Sequence, residues 1–412
     1  MEPVSQALAT AAPSARHATA VNLDVAVARP GEFRPLRLGA LAVWPPVVLA
    51  PMAGVTNAPF RALCREQGAG LFVSEMITAR GWLEGNALTR LLASPQPGER
   101  PRSVQLYGAD PVDLREAARQ LVQDGVQHID LNFGCPVPKV TRHGGGSAIP
   151  VKPRLMARLL RAAVDGAGAV PVTVKVRKGI DEALLTFLDA GRVAESEGAA
   201  AIGLHARTAA QLYAGEADWT AIAALKAAVR IPVLGNGDVW ECWDALRMMR
   251  QSGCDGVIVG RGCLRRPWLF AELAAVFDGR EPPPQPPLGH VVDVMRRHAR
   301  LLVDFFGPDI GVRQMRKWCG WYLTGFRNSA PARAALSRIR TLEEMDAILA
   351  GLDHDEPFPL HTVRANRVKD SRVQHRVALP NRYLETRDDD TPPTAPRDPA
   401  ERAAWERALD GG

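Results

Sequence analysis

Eight short runs rich in aliphatic and β-branched residues recur along the chain: VVLAPM at 47, LFVSEM at 71, SVQLYG at 103, HIDLNFG at 128, VTVKVR at 172, AIGLHAR at 201, IPVLGNG at 231 and GVIVGRG at 256. Between most of them apolar residues fall at i, i+3 and i+4, the repeat of an amphipathic helix. The best marked is DPVDLREAARQLVQDG at 110–125. There Asp110 stands as N-cap, Pro111 takes the first helical position and Gly125 stops the helix. Strands alternating with helices eight times over predict an α/β fold, a (β/α)8 barrel over 34–280, in preference to an open doubly wound sheet. One unit is stretched. The run at 128 is followed only at 172, and the surplus is the stretch GCPVPKVTRHGGGSAI.

The flanks differ in character. Residues 1–33 are Ala-rich without periodicity and read as a disordered tail. EPPPQPPL marks a proline-rich linker at 281–288, and helical patterning over 289–355 predicts a small all-α second domain. From 356 to 412 the chain turns basic, then acidic and proline-rich, a composition read as mostly disordered, with a short closing helix near 399–411. No apolar run is long enough to span a membrane and the start lacks a signal-peptide core, so no membrane association is expected. Six cysteines, none in metal-binding spacing, predict a reducing cytoplasm and no metal site. The net charge of +6 mildly favours a polyanionic partner. Only 7 of the 51 basic residues are lysine, however, an arginine bias that coding composition alone would give.

In such barrels chemistry sits where strands end, on the loops that follow them. Those ends carry Pro51-Met52-Ala53, Glu75, Gln105, Asn132 with Cys135, Lys175 with Arg177, His205 with Arg207, Asn236-Gly237-Asp238 and Gly260-Arg261. Ordinary turn chemistry does not require this convergence of Cys, His, Asn, Asp and four basic side chains on one rim. Glycines after strands seven and eight let backbone N–H groups approach a phosphate, with Arg261 as its counter-charge. No dinucleotide fingerprint or Walker sequence is present, so a mononucleotide fits, and FMN is the natural candidate. Lys175 would face the N1/O2 edge of the flavin ring, and Gln105 would offer its amide to the pyrimidine part. The role of Cys135 stays open at this level between nucleophile, acid and small apolar filler.

APMAGVTNAPFR, VSEM, VQLYG, DLNFGCPVPKV…GGGSA, VKVRKG, HARTAAQLYAGEADW, PVLGNGDV and GRGCLRRPW together resemble the tRNA-dihydrouridine synthase family, most closely its bacterial B type, from about 38 to about 350. The resemblance implies reduction of the C5=C6 bond of a tRNA uridine, in the D-loop for the B type, by FMN recharged with NADPH. It implies FMN contacts from Pro51, Met52, Ala53, Gln105, Lys175, Asn236, Gly237, Asp238, Gly260 and Arg261, with His205 beside the flavin and the substrate base. Asn132 would help hold the uracil, and Cys135 would give C5 its proton as a general acid. Lys139 and Arg142 on the long loop, with Arg177 and Arg207 on neighbouring rims, would contact tRNA phosphates and offset the cost of extruding the base. The loop glycines suggest a lid. In the second domain Arg313, Arg316 and Lys317 share one helical face, expected to point outward to the tRNA backbone, with Trp318, Trp321 and Tyr322 turned inward. A basic arm at 361–376 would add non-specific attraction. The chain is expected to act as a monomer on the D-arm of tRNA. Two rival readings share part of this signature. An FMN barrel acting on a free pyrimidine would not need the second domain, and a non-catalytic tRNA-binding flavoprotein would not need Cys135, Lys175 and His205.

Overall fold

The computed structural model describes residues 18–68, 70–364 and 375–393. Eight parallel strands close a barrel: β1 Val47–Leu49, β2 Leu71–Thr78, β3 Ser103–Tyr107, β4 His128–Phe133, β5 Val172–Arg177, β6 Ala201–His205, β7 Val233–Asn236 and β8 Gly256–Val259. β8 pairs back onto β1, Val257 opposite Val47 and Val259 opposite Leu49, which completes the closure. The expected (β/α)8 architecture is therefore the one observed. A hairpin of Leu36–Leu38 and Leu41–Val43 caps the N-terminal end, and its Leu36, Leu38 and Val43 pack with Val48, Val73, Leu234 and Ile258 inside the barrel.

The barrel interior is uneven. On one side it is aliphatic, as such barrels usually are. On β3, β4 and β5 the alternating inward positions are instead polar: Ser103 and Gln105, His128 and Asp130, Thr173 and Lys175. The parallel register sets Ser103 opposite His128, Gln105 opposite Asp130 and Asp130 opposite Thr173. The opposite faces of the same strands, with Val104, Leu131 and Val174, pack outward against the helices.

The helical domain comprises Leu288–Phe306, Pro308–Tyr322, Ser329–Leu336 and Leu342–Ala350. It shares one continuous apolar core with the barrel. Trp318 is fully buried, its ring 4.6 Å from that of Phe60 on the first barrel helix and 4.6 Å from that of His298. Trp318→Ala is expected to cost about 3–5 kcal/mol, the range for emptying a large aromatic site. The check is a lowered midpoint in urea, with barrel and helical-domain signals lost together. No helix among the described residues is long and apolar enough to cross a membrane.

The described parts of both flanks, 18–33 and 375–393, are more ordered than their composition suggests. Within the expected 1–33 tail, residues 18–33 lie along the barrel. The Thr19 N–H donates to Glu241 at 2.9 Å, Asn22 donates to Glu241 and Asp244 at 2.6 and 2.9 Å, and Phe33 meets Phe277 edge-on at 5.3 Å. Within the expected 356–412 tail, residues 375–393 cross the outside of the loop that follows β4. Tyr383 packs on Ala148, Val151 and Ile180, its hydroxyl 3.4 and 3.3 Å from the carbonyls of Gly144 and Ala148. Asp389 pairs with Lys152 at 2.8 Å and Asp390 with Arg158 at 3.1 Å. The reason is pairwise: acidic residues without local partners find basic ones on the barrel, which composition does not reveal. Of the expected basic arm, Arg364 turns inward to Thr19, Glu241 and Asp244. The stretch 365–374 and the expected closing helix lie outside the described residues.

Candidate active site

A cavity of about 500 Å³ opens at the C-terminal mouth of the barrel. It is lined by the strand ends singled out from sequence: Pro51, Met52, Ala53, Gln105, Asn132, Cys135, Lys175, Arg177, His205, Arg207, Asn236, Gly237, Asp238, Gly260 and Arg261. Its size suits one ligand of cofactor dimensions. Four cationic side chains face it, and Asp238 is the one carboxylate among the described lining residues. Burial, reinforced by Arg177, Lys175, Arg207 and Arg261, drives His205 well below its ordinary pKa, so its ring is neutral. Burial also lowers Lys175 to about 8, with Arg177 adding to the effect. The cavity therefore presents a surplus of positive charge and calls for an anionic ligand.

Two of the cations do structural work. Arg177 donates to the carbonyls of Gly134, Thr208 and Leu212 at 3.0, 2.9 and 2.8 Å, tying the loop after β4 to the loop after β6. Arg207 donates to both oxygens of Asp238 at 2.9 Å and to the carbonyls of Ala214 and Gly215 at 3.0 and 2.6 Å. Both side chains are buried, so neither stands on an open rim where a polynucleotide backbone would pass, as their sequence positions had suggested. Strand-end arginines are long enough to turn back over the barrel mouth and satisfy loop carbonyls there. Lys139 and Arg142, by contrast, are exposed beside the mouth.

The expected cationic face of the second domain divides in the same way. Arg313 points to solvent. Arg316 donates to the Ile339 carbonyl at 2.9 Å within the domain. Lys317 turns to the barrel, where its ammonium meets the Gly54 carbonyl beside buried Glu75. Helical spacing placed the three on one face but could not show that this face abuts the cavity rim.

Cys135 is the one cysteine of the six that is not fully buried. Burial raises its pKa, against the opposing pull of the Val137 N–H and of Arg177, so the thiol stays protonated at neutral pH. The backbone N–H groups of Gly134 and Cys135 both donate to the Asn132 side-chain oxygen, at 3.2 and 3.0 Å, which fixes the turn carrying the sulfur. Asn132 in turn donates to Gln105 at 3.0 Å, and Gln105 to Asp130 at 2.7 Å. Gln105 keeps one amide hydrogen and one lone pair for a ligand, whereas both lone pairs of the Asn132 oxygen are taken and its second hydrogen faces the Met76 sulfur at 3.2 Å.

The glycines of the long loop are placed by close approach. A Cβ on Gly145 would lie 2.0 Å from the Tyr107 hydroxyl, and one on Gly146, at φ +53°, would lie 2.5 Å from the Cys135 carbonyl oxygen. The loop is held between Tyr107 inside and Tyr383 outside. Tyr383→Ala is expected to speed tryptic cleavage at Lys139 and Arg142 by about tenfold, the equivalent of about 1.4 kcal/mol of lost local stability. Peptide mapping of a short digest is the check.

Sequence reasoning left several site residues without a role. Tyr213 stands at the mouth, its ring 4.6 Å from the Arg261 guanidinium and 5.6 Å from that of Arg177. Met76 and Trp240 form apolar walls. Tyr213 had a signal, an aromatic within eight residues of a strand-end histidine, but nothing to aim it. Asp130 also had one: in HIDLNF the polar residues alternate on a strand that should be apolar on both faces.

The dihydrouridine synthase family model matches residues 48–355, covering the barrel and the helical domain. The chain belongs to that family. It is an oxidoreductase of the flavin-dependent barrel kind. A protein of Mycobacterium tuberculosis described as a probable tRNA-dihydrouridine synthase is 52% identical over 365 residues, 86% of this chain and 93% of its own. A Mycobacterium leprae protein of the same description is 50% identical, over 84% of this chain and 97% of its own. The tRNA-dihydrouridine synthase B of Xanthomonas axonopodis pv. citri is 40% identical, over 77% and 98%.

Proposed function

We propose that this family member reduces the C5=C6 bond of a uridine in tRNA to 5,6-dihydrouridine, with FMN in the barrel mouth and NADPH as the electron source, in a reducing cytoplasm. The observation that carries the reading is Cys135, a protonated thiol held at the rim of a strongly cationic cavity. The residues present fit FMN. Arg207 keeps a buried Nη1 without a hydrogen-bond partner among the described residues, 3.7 Å from where a Cβ on Gly237 would stand. Gly260 leaves open space, with no atom closer than 3.8 Å to its missing Cβ. An orphaned cationic donor beside Gly237 is what a phosphate group would complete. Asn236 and Asp238 hold this region in shape, by bonds to the Ile258 carbonyl at 2.8 Å and to the Ala217 N–H at 2.7 Å.

When bound, the flavin supplies the hydride that uracil C6 accepts. Lys175 and Gln105 would hold the ring's polar edge. Reduction of the double bond leaves C5 in need of a proton, and the Cys135 thiol donates it, becoming a thiolate that Arg177 stabilises before solvent returns the proton. Neutral His205 supplies a hydrogen bond without adding charge. Pro51, Met52 and Ala53, which line the cavity, would contact the flavin.

The uridine is reached only when it leaves its stack, which costs a few kcal/mol. Lys139, Arg142 and Arg313 are the exposed cations placed to offset that cost on tRNA phosphates. Replacing all three by Ala is expected to weaken tRNA binding and to lower the slope of log K against log salt by about 2–3, roughly 0.9 per lost phosphate contact. A filter-binding series across salt concentrations tests this, and an unchanged slope would place the tRNA elsewhere.

A further inference from the structure

The polar half of the barrel interior forms one unbroken run of hydrogen bonds. Ser103 Oγ lies 2.7 Å from His128 Nδ1, and His128 Nε2 lies 3.0 Å from Thr173 Oγ1. Thr173 donates to Asp130 Oδ1 at 2.6 Å, and Gln105 Nε2 donates to Asp130 Oδ2 at 2.7 Å. Asn132 Nδ2 donates to Gln105 Oε1 at 3.0 Å, and Asn132 Oδ1 accepts the N–H groups of Gly134 and Cys135. Ser103, His128, Thr173, Asp130 and Gln105 are all buried.

We propose that Asp130 is a positioning residue for Cys135, its carboxylate and the two backbone N–H groups at the cysteine turn together fixing the direction of the hydrogen bonds that link them. The inference rests on the reading of Cys135 as proton donor. An ionised carboxylate only accepts. Gln105 must therefore turn its NH2 toward Asp130, which aims its oxygen at Asn132. Asn132 must then offer its NH2 to Gln105, which leaves its oxygen for the two N–H groups at the cysteine turn. An amide turned by half a rotation keeps its shape, so the orientation of both amides is held by the acceptor at one end and the two backbone N–H groups at the other. Turned that way, Asn132 would present hydrogens to hydrogens and the turn would lose its anchor.

The other branch obeys the same rule. The single Thr173 hydrogen goes to Asp130, so Thr173 accepts from His128 Nε2–H, and His128 Nδ1 accepts from Ser103. Burial lowers His128 to about 3, in keeping with a neutral ring. Burial raises Asp130, while Thr173, Gln105 and Lys175 favour its charged form. A barrel interior filled for stability alone would hold branched apolar residues here. Replacing a buried charged cluster whole by apolar residues of similar size is often neutral or stabilising, so retaining this polar run points to a positional role.

Three measurements decide the matter. Long-range 15N correlation spectra of the histidines, with His128 assigned through His128→Gln, are expected to show the Nε2–H tautomer without titration between about pH 5 and 8. An Nδ1–H or titrating His128 overturns the proposal. Asp130→Leu is expected to lower the melting temperature, because the Thr173 hydroxyl and the Gln105 amide lose their acceptor, and to change Cys135 alkylation by iodoacetamide several-fold in protein without tRNA. The rate of dihydrouridine formation at saturating tRNA should fall about 10- to 100-fold with KM unchanged. Unchanged alkylation and rate overturn it. Asp130→Asn should recover most of the rate, because its NH2 can face Thr173 and move the His128 proton to Nδ1 while its oxygen still receives Gln105. Both variants lose the same charge near Lys175, so the difference between them isolates hydrogen-bond direction. Asp130→Asn with no better rate than Asp130→Leu also counts against it. If the protein makes no dihydrouridine at all, the tautomer and the alkylation rate still test the run by themselves.

Discussion

Cys135→Ala is expected to lower dihydrouridine formation by about 10²- to 10⁴-fold, the usual range for removing a placed general acid. FMN binding and flavin reduction by NADPH should stay near those of the parent. The separation follows from position. The sulfur lies on the loop after β4, while the phosphate-side groups Arg207, Gly237 and Gly260 belong to the loops of β6, β7 and β8. The substitution removes one sulfur at a partly exposed site and leaves the Asn132 turn intact, since both N–H groups of that turn are backbone. Cys135→Ser should recover little, because a hydroxyl is a far weaker acid than a thiol. A thiol raised by burial also makes the rate persist into mildly alkaline solution. The proton is present below the thiol's raised pKa and is lost only as pH climbs through it. A rate that declined already between pH 6 and 7 would point to another donor.

Arg207→Leu is expected to destabilise the protein by about 3–5 kcal/mol, the cost of removing one partner of a buried ion pair. The arginine side chain is 2% exposed and that of Asp238 19%, so the orphaned carboxylate would remain largely shielded from water. The carbonyls of Ala214 and Gly215 lose their donor in the same step. FMN affinity should fall about 10- to 100-fold, since a charge-assisted hydrogen bond is worth about 1.5–3 kcal/mol. Arg207→Lys should rescue little, because one ammonium cannot span a carboxylate, two carbonyls and a phosphate. The checks are the melting temperature of the flavin-free protein and fluorescence titration with FMN. A stable variant with reduced tRNA affinity would return Arg207 to the surface role suggested by its sequence position.

The barrel was legible because its signal is repetitive: eight β-rich runs, nearly all closed by polar residues, leave few architectures open. The cavity was legible for the same reason, since strand ends in a closed barrel must converge. What could not be read was direction. Arg177 and Arg207 occupy the same kind of strand-end position as Lys175, yet they fold back onto loop carbonyls because the loops after β4 and β6 bring those carbonyls within reach. Lys317 shares a helical face with Arg313, but only docking through Trp318 and Phe60 decides which of them meets the barrel. The described parts of the flanks, 18–33 and 375–393, depart from the disorder expected of them because composition averages over residues. Tyr383, Asp389 and Asp390 are held by specific barrel partners, and Ala-rich or proline-rich surroundings do not cancel such contacts. Asp130 went unremarked because a lone acid in an apolar run is usually assigned to an ion pair, whereas its partners here are a threonine and a glutamine.

The most direct test of the account is mass-spectrometric mapping of dihydrouridine in tRNA that lacks the modification, incubated with the purified protein, FMN and NADPH, alongside Cys135→Ala. A gain of two hydrogens at one D-loop uridine, made by the parent and nearly absent with Cys135→Ala while flavin reduction continues, is the expected result. Modification at an undiminished rate by Cys135→Ala, or none by a parent that binds and reduces its flavin, would contradict it.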